Sequence, residues 1–259
     1  MISIPRTRRA AIAAGLALLL VVAAASMRVG GGRAGARADG AVPTVTASPH
    51  ERLESMTGAI LLETAQAEFR EASSVTMTGF ALKDGHRATF AVSADRAGGC
   101  TVTSTQEGQG PSRVVRVRGE TFIRMDPQAF ALEWGAATAS RFGGRWVRLP
   151  PGRTLDDVGG FCDLTKIPVV GTADPAEQAL SGGGLSVGGT KTVSFLVTGP
   201  DNPPFLGYVA TEGPPRPVRV ETQAYDFQVD FSDYGLPVQV TAPPADQVVD
   251  LAALEAQIQ

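Results

Sequence analysis

The residues Tyr225–Phe231, YDFQVDF, place Tyr225, Phe227, Val229 and Phe231 at every second position, with Asp226, Gln228 and Asp230 between them. Successive side chains of a strand point to opposite faces, so this segment has one apolar face and one polar, largely acidic face. A sheet built of such strands is antiparallel and covered on one side only. The reading extends outward in both directions.

Before it, Val193, Phe195 and Val197 alternate with Thr192, Ser194 and Thr198, and strands at Phe205–Thr211 and Val218–Thr222 follow the Pro203-Pro204 turn. In His86–Asp95, Ala88, Phe90, Val92 and Ala94 share a face. The segment Ser73–Leu82 and the Asp84-Gly85 pair make this strand half of a hairpin. Further strands are expected at Cys100–Gln106, at Arg113–Met125 divided by a turn at Gly119-Glu120, and at Trp146–Leu149. In Arg113–Met125 the alternation sets Val115, Val117, Ile123 and Met125 against Arg116, Arg118 and Arg124.

Helical spacing is confined to three places. From Glu51 to Glu71, Leu53, Met56, Ile60 and Ala67 recur near 3.6 residues. Asp126 caps and Pro127 opens a helix carrying Phe130, Trp134 and Ala137, stopped by Gly143-Gly144. A short helix is predicted from Asp174, with Pro175 at its first turn and Glu177 in a capping box, into Ser181 and Gly182. The expected fold class is α+β, a strongly curved antiparallel sheet with helices covering its apolar face. The Gly, Ala, Ser and Thr positions on that face point weakly to a lumen, and more ordinarily to a closely packed helix.

At the N-terminus, Arg6, Arg8 and Arg9 precede the uncharged run Ala10–Met27, AAIAAGLALLLVVAAASM. This is the pattern of an export signal. It is either cleaved after Ala25 or Ala38, or retained as one transmembrane helix, its eighteen residues lying at the lower limit for spanning about 30 Å of hydrocarbon. The basic head stays cytoplasmic in both cases, so the body lies outside, anchored to the cell membrane or secreted. The chain divides into residues 1–28, signal or anchor; 29–49, a Gly/Ala/Arg-rich linker; and 50–259, one domain. Cys100 and Cys162 are an even pair in an exported body, where a disulfide forms and persists.

The net charge of −3 and the dispersed arginines exclude nucleic acid as a partner. His50 and His86 stand apart from thiols and carboxylates, so no metal or other cofactor is expected. The glycine run Gly182–Thr192 is not a phosphate loop, because Thr190 separates Lys191 from Gly189; it reads as a flexible loop. There is no G-x-S-x-G elbow, and His86 reads as a surface residue at a hairpin edge. The pairs Asp156-Asp157 and Asp230 with Asp233 read as solvated turn acids rather than a glycosidase pair. No catalytic residue is identified and the protein is read as a non-enzyme. Arg113, Arg116, Arg118, Arg145, Arg148, Arg216 and Arg219 form a solvated sheet face or, in a sharper reading, meet anionic lipid headgroups.

Residues 206–250, LGYVATEGPPRPVRVETQAYDFQVDFSDYGLPVQVTAPPADQVVD, carry a resemblance. Tyr208-Val209-Ala210-Thr211, then Pro217, Arg219 and Glu221, then Phe231-Ser232-Asp233-Tyr234-Gly235 and Pro237–Val248 resemble the C-terminal part of the LppX/LprG-type actinobacterial lipoproteins. The fold of that family is similar to the Lol-system lipoprotein carrier. The resemblance implies a half-barrel whose concave apolar face is covered by helices around a cavity. It also implies binding or transport of a lipid or acylated glycolipid, with an envelope transporter or other membrane protein as a further partner. Phe90, Val92, Val115, Val117, Phe195, Phe227 and Val229 are then the lining candidates. The segment Phe231–Gly235 reads as a strand end and turn, with Asp233 accepting backbone hydrogen bonds and Gly235 supplying a special backbone angle. No cysteine stands just after the apolar run, so the lipidated anchor of such lipoproteins is not expected and Ala10–Met27 takes that role if uncleaved. The rival reading is an extracytoplasmic protein-interaction or sensor domain without bound lipid.

Overall fold

A computed structural model describes residues 53–83, 85–150, 159–165, 167, 178–199 and 203–256. The apolar run Ala10–Met27, the linker, Asp156-Asp157 and the start of the helix expected at Asp174 lie outside the described residues. The protein is mixed α+β, with few helices and one large open sheet. Its elements are α1 Gly58–Glu71, β1 Ser74–Lys83, β2 His86–Asp95, β3 Cys100–Gln106, β4 Ser112–Val117, β5 Glu120–Arg124, α2 Pro127–Trp134, α3 Ala136–Phe142 and β6 Trp146–Leu149. A 3₁₀ turn at Gly159–Cys162 precedes β7 Gln178–Val187, β8 Thr190–Thr198, β9 Phe205–Ala210, β10 Pro217–Thr222 and β11 Phe227–Ser232. The chain then adds β12 Val248–Asp250 and α4 Leu251–Glu255.

The 12-stranded sheet has the order β12-β6-β5-β4-β3-β2-β1-β11-β10-β9-β8-β7. Its pairs are antiparallel except β12 with β6, which run parallel. This departs from the all-antiparallel expectation, because the C-terminal residues return to the far edge of the sheet instead of pairing with their sequence neighbour. The hairpin of β1 and β2 keeps register from Ser74–Asp95 to Lys83–His86, and Gly85 takes φ 78° at its turn. Arg118 and Gly119, with φ 52° and 81°, make the turn between β4 and β5.

Four local expectations are corrected. Gly135, at φ 85°, splits the helix predicted over 127–142 into α2 and α3. Asp126 does cap it, accepting from the amides of Gln128 and Ala129. Gln178–Ser181 is strand, not helix, and the glycine run that follows completes a hairpin turned at Gly188-Gly189; pairing with β8 overrides the local helix signal. On α1 the buried residues are Leu61, Leu62, Ala65 and Phe69, while Ile60 and Ala67 are exposed. The helix therefore turns Ile60 and Ala67 away from the core, whereas Leu53 and Met56, which precede it, are respectively buried in the core and packed against it. Tyr225, at φ 55° and largely exposed, belongs to the turn before β11 and not to its apolar face.

The core lies on one face of the sheet. In register across eight strands, Phe231, Met77, Val92, Val102, Val114, Ile123, Val147 and Val249 form one row of that face. Helix α1 packs against β7, β8, β9 and β10. Its first residue meets the β7 backbone so closely that a Cβ on Gly58 would lie 2.5 Å from the carbonyl carbon of Ala179. At the other end, Phe130 of α2 and Leu251 and Leu254 of α4 join the same core.

Two glycines on this face are filled by rings from the next strand. A Cβ on Gly207 would overlap the ring of Phe195, and one on Gly79 would overlap the Gln228 carbonyl oxygen and lie 2.8 Å from Cζ of Phe90. These small positions hold neighbouring aromatic side chains, as in aromatic rescue of strand glycines. Since Phe195 is buried and has no room to swing away, Gly207→Ala is expected to destabilise the protein by about 1–3 kcal/mol. A urea midpoint unchanged from the parent would show that the ring yields freely.

Candidate functional site

The candidate site is the apolar sheet face, followed toward the end where β1 turns into β2. One register row runs Phe195, Gly207, Val220, Val229, Gly79, Phe90, Ser104, Ser112. Phe195, Val220, Val229 and Phe90 are buried. The next row outward contains Phe205, Thr222, Phe227 and Ala88, all half-buried, and Ala81. The face thus passes from closed core to a partly exposed apolar margin, and then, on β3 and β4, to the half-buried polar side chains Ser104, Gln106 and Ser112.

The disulfide holds one side of this region. Cys100 and Cys162 are bonded at 2.04 Å, and both are buried. The bond fixes the turn Gly159–Cys162 against β2 and β3, with the Phe161 ring 6.4 Å from that of Phe90 and Leu164 buried beyond it.

Of the seven lining candidates, Phe90, Val92, Phe195 and Val229 lie in the core and Phe227 packs against it half-buried. Val115 and Val117 are placed elsewhere. Val114 is the buried residue of β4, opposite Val102 and Ile123, so Val115 and Val117 point to the other face with Arg113. The consecutive valines 114 and 115 admit both phases, and the neighbouring strands select Val114.

The motif residues of the C-terminal part do structural work on both faces. On the outer face the Tyr208 hydroxyl donates to Oε1 of buried Glu221 at 2.7 Å. Burial and, next, this carboxylate push the Tyr208 phenol up, so it stays a neutral donor. Beside it Arg219 Nε donates to Asp230, which also accepts from Gln228 at 2.9 Å. On the inner face Phe231 and Tyr234 grip Phe69 of α1 edge-on, at 5.8 and 6.4 Å between ring centroids. The Tyr234 hydroxyl donates to the Pro217 carbonyl at 2.8 Å, and burial raises its phenol as well. Gly235 has φ 77° and Asp233 itself takes φ 52°; its main-chain carbonyl accepts from the Leu236 amide at 3.2 Å, while its carboxylate accepts from the Ser232 hydroxyl. Sequence reasoning missed this clamp on α1, since Phe69 sits on the stripe it did not choose.

The arginines are dispersed. Arg148 pairs with Glu120 and Asp250, Arg145 donates to the Asp246 carbonyl, and the Arg216 guanidinium lies 5.0 Å over the Tyr234 ring. His86 is exposed at the hairpin end. Among the described residues no group of three His, Cys, Asp or Glu is placed to hold a metal ion, and no helix is long and apolar enough to cross a membrane.

These elements define an α+β protein built on one open sheet with its core on a single face. No protein-family model and no curated protein matches the chain. Among solved structures it is similar to LprF from Mycobacterium bovis, at 13% identity and TM-score 0.48 over 77% of this chain and 100% of that one. It is also similar to the lipoprotein LppX of Mycobacterium tuberculosis, at 14% identity and TM-score 0.42 over 71% and 99%. The MucA/MucB complex of Pseudomonas aeruginosa includes a third similar chain, at 16% identity and TM-score 0.36 over 78% and 60%.

Proposed function

We propose that residues 50–259 form an extracytoplasmic, non-catalytic domain that binds or transports a lipid or acylated glycolipid. In this reading the sheet curves as a half-barrel, with α1 and the Gly159–Cys162 turn on its concave side. The chain is carried across the membrane by residues 1–28, as cleaved signal or retained anchor, and held off it by residues 29–49. The single observation that carries the reading is the half-buried margin of Phe205, Phe227 and Ala88, continuous in register with the buried row of Phe195, Val229 and Phe90. An acyl chain gains about 0.8 kcal/mol for each CH₂ moved from water onto such a surface, so it needs few polar partners. Phe90, Val92, Phe195, Phe227 and Val229 supply the lining.

The test is organic extraction of the purified protein followed by mass spectrometry, with titration of a fluorescent fatty acid. Co-purifying lipid and saturable uptake are expected, and Phe227→Asp should weaken uptake at least about tenfold, the cost of a carboxylate in an apolar site. Empty protein that takes up no acyl chain would overturn the proposal. One observation favours a protein-interaction or sensor domain instead: Phe90 and Phe195 fill the glycine positions where a lumen would begin. Unsaturable or absent uptake together with a stably bound envelope protein would decide for that second reading.

A further inference from the structure

Strand β7 ends the sheet and, among the described residues, pairs on one side only, with β8. Exposed strand edges are ordinarily guarded by charge, by proline or by a bulge that twists the edge away. The ten residues Gln178–Val187, QALSGGGLSV, contain no charge and no proline. They do contain a register shift: Ser181 faces Phe195 and Gly184 faces Val193, so three steps on β7 span two on β8, the signature of a bulge. The shift has a consequence for side-chain direction. Leu180 lies opposite Leu196 and Leu185 opposite Thr192, four residues apart on β8, so the two leucines share the outer face despite their odd spacing. They are 56% and 43% exposed. The other side of the strand is taken by α1.

We infer that this edge is an interface for a second copy of the chain, the two β7 strands pairing antiparallel about a two-fold axis at Gly182-Gly183. The pattern is self-complementary, as a two-fold interface requires. In that register Leu180 of each copy stands directly opposite Leu185 of the other, and all four leucines lie on one face. Because the bulge sits at the middle of the strand, bulge meets bulge at the axis, and both arms stay in phase. The same parity gives the opposed residues matching backbone directions, so the ladder can form on both sides of the axis. An uncharged strand brings no like charges together there. The two sheets would become one continuous sheet through β7.

The full chain, purified in mild detergent, is expected to sediment as a dimer that dissociates on dilution into roughly the micromolar range. Leu185→Lys should raise the dissociation constant at least about tenfold, whereas Leu132→Lys, at the 77% exposed leucine of α2, should leave it unchanged. Oxidation of the chain carrying Leu180→Cys and Leu185→Cys should give a covalent dimer on non-reducing gels, with far less from Leu132→Cys. A parent chain that stays monomeric throughout the concentration series overturns the inference without recourse to any variant. So does equal cross-linking at Leu132, or cross-linking only to another protein. Fatty-acid uptake by a monomer would leave the lipid proposal standing while removing this one.

Discussion

Phe69→Ala is expected to cost about 3–5 kcal/mol of folding stability, the range for truncating a fully buried phenylalanine whose surroundings relax only in part. Phe69 is 1% exposed and stands where one helix meets the strand end of the FSDYG segment. The ring touches Phe231 and Tyr234 edge-on, and such aromatic pairs contribute beyond their buried area. Tyr234 cannot follow an alanine inward without giving up the bond from its hydroxyl to the Pro217 carbonyl. The two residues after Phe231 that precede Tyr234, and Gly235 at φ 77°, hold the loop in a fixed turn. The cavity should therefore stay largely open, which places the cost toward the upper end. Urea unfolding followed by fluorescence is the measurement, with an unchanged slope marking a true stability change. A loss below about 1.5 kcal/mol would mean that the loop collapses onto the gap and that the clamp on α1 is soft.

The same segment shows where the sequence could be read and where it could not. The hairpin of β1 and β2, the strand β3, the turn at Gly119 and the cap at Asp126 each have a local cause: alternation, glycine, or a capping side chain. Their boundaries followed from it. Helix α1 was visible as a helix but not as a face. It carries apolar residues on two opposite stripes, Ile60 and Ala67 on one and Leu61, Leu62, Ala65 and Phe69 on the other. The choice between them is made by Phe231 and Tyr234, more than 150 residues away. In β4, adjacent valines at 114 and 115 left the phase to Val102 and Ile123 on the flanking strands. For β7 three consecutive glycines erase any period. Its strand state comes from the ladder with β8 and from the close seat of Gly58 on the Ala179 backbone, both tertiary. In the candidate site, the buried phenylalanines were legible from alternation. The filling of Gly79 and Gly207 by those same rings was not, since it depends on which strands become neighbours.

Replacing both Cys100 and Cys162 by alanine is expected to lower stability by about 4 kcal/mol on the chain-entropy model, and the melting temperature by roughly 8–16 °C for a domain of this size. The bond spans 62 residues, a stretch that includes β4, β5, β6, α2 and α3, so opening it returns a large loop to the unfolded ensemble. Most of the loss should appear as a shift of the global transition, because Cys100 lies in the central row of strands. A second, local effect separates this bond from a mere brace. Without it the described contacts that hold the turn Gly159–Cys162 are chiefly the burial of Leu164 and the contact of Phe161 with Phe90. Those contacts are too few to hold a short segment whose backbone ordering alone costs about 1–2 kcal/mol per residue. Amide exchange at residues 161–164 should then become fast at temperatures where the β1–β2 hairpin is still protected. Because this turn lies over Phe90, its release should also speed the entry of a fluorescent acyl chain to the proposed lining while the Phe227 margin is untouched. An unchanged melting temperature after replacement of both cysteines would show that the loop is already constrained by its strands. Fast exchange spreading equally through β2 and β3 would place the bond in the core's cohesion, not in a cover over the face.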